Sequence, residues 1–156
     1  MKKSKLIIAH LNELLIVNYE AEKIFLQALD QIENSVLKNF FRVSGYERNQ
    51  IIKQLDSNIR QKGGTPVYPE VSSNPNSELN SNLNEIISSK DEQLLLTEIG
   101  RMKLRDIQKY QNVLNDFDFS GSIEKILKHQ KDTIVKSLYS IEVHKDLFAK
   151  KIVSLD

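Results

Sequence analysis

Along residues 11–29, LNELLIVNYEAEKIFLQAL, apolar side chains recur every three or four positions. Leu11, Leu14, Leu15, Phe25, Ala28 and Leu29 fall on one stripe of a helix. Asn18 and Glu22 interrupt that stripe where further leucine is expected. The pattern predicts a helix over about 4–29. A second over about 35–62 carries Leu37, Phe40, Phe41, Ser44, Ile51, Leu55 and Ile59 on one face. Asn34 precedes it as an N-cap, and Gly63-Gly64 ends it, because glycine takes the left-handed C-cap conformation without steric cost. Residues 63–76 contain all three prolines and read as a linker. Asn74-Pro75 then opens a short helix to about residue 88, with Leu79, Leu83, Ile86 and Ile87 as its apolar side. Ser89-Lys90-Asp91-Glu92 fits the S-x-x-E capping box and predicts the start of a helix over about 90–115, carrying Leu95, Ile99, Met102, Tyr110 and Val113. After the breaker DFDFSGS, a last helix over about 122–152 presents Ile123, Ile126, Leu127, Ile134, Leu138 and Ile141.

Short turns within each pair of long helices and a long connection between the pairs predict an all-α fold: two helical hairpins, a crossover linker and one extra short helix, in the antiparallel four-helix arrangement of ferritin-like bundles. A plain up-down-up-down bundle with a long middle loop is the alternative. No period-two alternation supports a strand. At 156 residues the whole of 1–156 reads as one domain.

Composition narrows the functional classes. The 22 basic and 21 acidic residues nearly cancel, which offers no charged surface for nucleic acid or an anionic membrane. Absence of cysteine excludes disulfides and thiol chemistry. The start MKKSKLIIAH imitates a secretory leader, but His10, Asn12 and Glu13 interrupt the apolar run, and no stretch reaches the roughly 18 apolar residues of a membrane span. A soluble, cytoplasmic protein is the expectation.

Candidate chemistry lies inside the bundle. Helix 1 brings Asn18 and Glu22 to the interior, helix 2 Ser44 and Glu47, helix 3 Glu98 and Asp106, helix 4 Gln130. A bundle that holds two iron or manganese ions needs about four carboxylates and two histidines, the latter from Glu-x-x-His pairs. The chain has three histidines, and isoleucine stands three places before each. Glu22, Glu47, Glu98 and Asp106 therefore remain as oxygen ligands for a divalent metal such as Fe, Mn or Mg. The competing reading is an interior polar network of Asn18, Glu22, Glu47, Arg48, Glu98, Arg101 and Gln130, with carboxylates paired to Arg48, Arg101 or Arg105 to set helix register. No residue is assigned a catalytic role, since no nucleophile elbow or phosphate loop exists.

The chain resembles the ferritin-like bacterial proteins grouped as domain of unknown function 2383. The resemblance rests on Leu11-Asn12-Glu13-Leu14, Leu37-Lys38, Phe41, Arg48, Leu55, Gly63-Gly64-Thr65-Pro66, Glu98-x-x-Arg101, Tyr110, Leu127, Gln130 and Ile134. Met102-Lys103-Leu104 stands where that family tends to small and acidic residues. The resemblance implies a ferritin-like fold and brings no reaction with it. Helix 1 also carries Ile7, Ile8, Ile16, Val17, Tyr19, Ile24 and Leu26, an apolar surface wider than one stripe, which the short helix or a second subunit would cover. The expectation is a non-catalytic interaction protein or stress-related structural protein, homodimeric and without cofactor. A metal-binding or metal-dependent redox protein is the alternative.

Overall fold

The computed structural model describes residues 2–69, 85–119 and 121–149, with side chains as far as residue 146. Four long helices form: α1 (Lys2–Gln31), α2 (Ser35–Gln61), α3 (Glu92–Asp116) and α4 (Ser122–Ala149). Among the described residues there is no strand. Nearly every position assigned to an interior stripe on α1, α2 and α3 is buried, because helical periodicity leaves no other face for so many leucines and isoleucines. Leu29, and on α4 Ile123, Ile126 and Leu138, are half-buried.

The ends follow local chemistry. Asn34 accepts a hydrogen bond from the Leu37 amide at 3.0 Å, so α2 starts where its cap was read; such a cap is worth about 1 kcal/mol. Gly63 takes φ 86°, and the Gly64 amide returns to the Ile59 carbonyl at 3.0 Å, closing α2. The start of α3 differs from the capping box read at Ser89. Asp91 is the N-cap, accepting from the Leu94 amide at 3.1 Å. Ser89 instead donates to the Ile86 carbonyl at 2.6 Å and closes the short helical turn 85–89. Lys90, at φ 61°, turns the chain between the two. The Asn74-Pro75 cap and most of the predicted short helix lie outside the described residues.

Contacts across the helices set their directions. Glu13 meets Lys109, and Lys103 meets Phe25, so α1 and α3 run antiparallel. Ser44 approaches Ser137 and Gln54 meets Gln130, so α2 and α4 are antiparallel as well. Ser44 meets Lys103 and Arg48 meets Asp106, which makes α2 and α3 parallel across the diagonal. The described chain after α2 lies on α1 and α2: the Asn12 amide donates to the Thr65 carbonyl at 3.2 Å and accepts from the Val67 amide at 2.8 Å. Tyr68 donates to Asp56 at 2.5 Å and packs edge-on against Tyr19. Burial, with that bond, pushes the Tyr68 phenol up to about 12, and the same bond holds the Asp56 carboxyl down. The chain comes so close at Gly64 that a Cβ there would stand 2.7 Å from Ile8 Cγ2. This segment covers part of the wide apolar surface of α1.

The core is divided. One apolar cluster gathers Phe25, Phe41, Leu96, Ile99, Met102 and Ile141; another gathers Leu14, Leu15, Ile51, Leu55, Tyr110, Val113, Leu127 and Ile134. Polar side chains lie between them.

Candidate functional site: a polar waist in the bundle

Helical spacing delivers these groups. Asn18 lies one turn from Leu14, Arg48 one turn from Ser44, and Asp106 one turn from both Lys103 and Tyr110, each on the face already turned inward. Asn18 is fully buried and donates to the Leu14 carbonyl at 2.8 Å and to the Tyr110 hydroxyl at 3.0 Å. Its carbonyl oxygen accepts from Arg48 Nη1 at 3.0 Å. The same nitrogen stands 2.9 Å from Asp106 Oδ2. Tyr110 donates to Gln130 Oε1 at 2.8 Å, and Gln130 Nε2 donates to Gln54 Oε1 at 2.8 Å. One chain of contacts thus runs Asp106–Arg48–Asn18–Tyr110–Gln130–Gln54 and touches all four helices.

A second node lies beside it. Lys103, 1% exposed, donates to Ser137 Oγ at 2.7 Å and to Ser44 Oγ at 3.4 Å. Its ammonium lies 4.4 Å from the Phe25 ring centroid and 5.5 Å from that of Phe40, within cation–π range of both. Burial holds the Lys103 ammonium well below its ordinary range, and Arg48 adds to that; Glu47 and Asp106 pull the other way. Burial pushes the Asp106 carboxyl up against the opposing pull of Arg48, and it likewise raises the buried Tyr110 phenol.

The sequence-predicted residues divide. Asn18, Arg48 and Gln130 meet in the chain, with Asp106 brought in as the partner of Arg48. Glu98 pairs with Arg101 at 2.9 Å on the rim, where the Arg101 side chain is 61% exposed. Glu22 is half-buried and takes no part in the chain of contacts. Glu47, also half-buried, lines a groove between α2 and α4, and burial raises its carboxyl against Lys103 and Arg48. Among the described residues, no three His, Cys, Asp or Glu side chains gather in a group that could hold a metal. His10 packs at the bundle end against Phe117 and Phe119.

Lys103, Gln54 and Ser137 were missed in the reading of the interior. A signal existed for Lys103: it lies four residues after Ile99 and three before Asp106, on the stripe itself. Lysine is almost never fully buried unless paired, and that general expectation outweighed the spacing.

The family pattern described as a domain of unknown function (DUF2383) matches residues 6–116. The chain belongs to the DUF2383 family. The match takes in α1, α2 and α3 and ends at Asp116, so the DUF2383 pattern covers Asn18, Arg48, Lys103, Asp106 and Tyr110, while Ser137 and Gln130 of α4 lie beyond it. A search of curated proteins finds no match. No helix among the described residues is long and apolar enough to cross a membrane.

Proposed function

We propose that this DUF2383 chain is a non-catalytic helical bundle that acts through association, as a homodimer joined along the outer flank of the α3–α4 hairpin. One observation carries the reading. Val135, Tyr139 and Val143 recur every four residues along α4 with exposures of 41%, 73% and 41%, and Leu104 of α3 is 58% exposed. Leu104 lies one turn beyond Gly100, which faces Leu138 and Ile141 across the helix pair, so it stands at the level of the α4 strip. Single exposed apolar residues need no explanation, but a strip of three with a fourth at its level is the mark of a contact surface.

The interior supports a structural role. Asp106 is paired with Arg48 and Glu98 with Arg101, and the Lys103 amine lies at the same level. A divalent ion held by Glu22, Glu47, Glu98 and Asp106 would have to displace two arginines, which favours the structural reading over the metal one. The waist instead favours one register, because sliding a helix by one residue rotates Asn18 or Tyr110 about 100° away from its partners. Sedimentation equilibrium tests the association: the wild type forms a dimer, and Leu104→Glu/Tyr139→Glu is a folded monomer. A wild-type chain that stays monomeric over the whole concentration range would refute the reading.

A further inference from the structure

The α2–α4 groove has chemistry that the polar waist does not use. It is open to solvent and offers about 610 Å³, a volume suited to a small ligand. Glu47, Gln50 and Tyr46 line it from α2, with Gln54 one turn on; Gln130 and Thr133 line it from α4. Among the described residues, Glu47 forms no ion pair within 4 Å, although it is half-buried; its interactions with Lys103 and Arg48 are longer-range. Arg48 is already matched by Asp106, and the buried Lys103 ammonium is held on Ser137 between two aromatic rings. The groove therefore has a carboxylate on its wall whose contact counter-charge is missing.

The surroundings define what would complete it. The Gln50 side-chain carbonyl accepts from N–H donors, and the Thr133 hydroxyl can do the same; the Gln54 and Gln130 carbonyl oxygens already accept one bond each, from Gln130 Nε2 and the Tyr110 hydroxyl. The Tyr46 ring, 58% exposed, offers a π face. A carboxylate, neutral acceptors and an aromatic face together match an alkylammonium group, whose three N–H donors and positive charge all find partners. Lys53 and His129 also line the groove; both are exposed, and the Lys53 ammonium is screened by water. An anion would meet Glu47 unpaired.

We propose that this groove binds an alkylammonium group on Glu47, supplied either by a free diamine or by the lysine side chain of a peptide. The site is independent of the dimer contact on the α3–α4 flank. Titrations of the full chain with 1,4-diaminobutane and with Nα-acetyl-lysine methylamide, followed by the side-chain amide resonances of Gln54 and Gln130, test it. Saturable shifts with either compound are expected, and the tighter of the two identifies the source. Glu47→Gln weakens binding at least tenfold. Gln50→Lys, which places a tethered ammonium one turn from Glu47, weakens it to the same degree without touching the interior. Three results would overturn the assignment: no saturable shift up to about 10 mM, the range of very weak association; equal shifts with 1-butanol; or undiminished binding by both variants.

Discussion

Removing the carboxylate of the buried Arg48–Asp106 pair is the sharpest test of the waist. Asp106→Leu leaves the Arg48 guanidinium, 2% exposed, with only the Asn18 carbonyl as an acceptor. An uncompensated buried charge of this kind costs about 3–5 kcal/mol. Arg48→Met strands the Asp106 carboxylate and the Asn18 oxygen together, for a loss in the same range. If the two effects were independent, the double variant would lose about 6–10 kcal/mol, most of a typical domain's stability. It should lose far less. With both charges gone, the main debt is the orphaned Asn18 carbonyl, about 1–3 kcal/mol. Urea unfolding of the wild type, both single variants and the double variant at neutral pH gives the coupling energy directly. A value of several kcal/mol is expected. Additivity within about 0.5 kcal/mol, the behaviour of unlinked sites, would refute the interior pairing.

Two further outcomes follow from particular contacts. Because the folded chain holds the Lys103 amine well below its ordinary value of 10.5, the unfolded chain binds the proton more tightly, and stability rises as pH climbs through the folded pKa towards 10.5. Lys103→Met should abolish that rise and increase stability at neutral pH by about 1 kcal/mol; urea midpoints across the alkaline range check both, and a less stable variant at neutral pH would contradict the account. Asn12→Ala removes both bonds that hold residues 65 and 67 to α1. Exchange of the Val67 amide should quicken roughly ten- to hundredfold, the equivalent of two ordinary hydrogen bonds, and unchanged protection would show that Tyr68 alone secures the segment.

Much of the fold was legible because helices declare themselves locally. The stripes of α1 and α2, the Asn34 cap and the Gly63 stop each depend on residues within a few positions of one another. The Ser89 box failed at the same scale: Ser89 and Asp91 are both good caps two residues apart, and two helix ends compete for them. The interior was harder to read. Asn18, Arg48, Asp106 and Gln130 stand out as polar residues on apolar faces, yet pairing is a property of three dimensions. Glu22 and Glu98 are at similar wheel positions and remain on the flanks, since a shift of one residue turns a side chain about 100°. Lys103 was hidden by its residue type, not by its spacing.

The parallel course of α2 and α3 has a consequence for how the molecule is made. Contacts within each hairpin join near neighbours in sequence: Asn18 to Arg48 across 30 residues, Tyr110 to Gln130 across 20. Contacts between the hairpins span more, with Asn18 to Tyr110 separated by 92. Loop closure favours the first kind, so each hairpin can form before the two dock. During synthesis the first hairpin therefore waits with its inner face bare. Arg48 and Asn18 lie in the middle of that face, between Phe41 and Ile51 on one helix and Leu14 and Phe25 on the other. Until Asp106 arrives, they keep a charge and an amide in water on a surface that would otherwise be continuous hydrocarbon. The residues that lock the finished bundle are the gatekeepers of the half-made one.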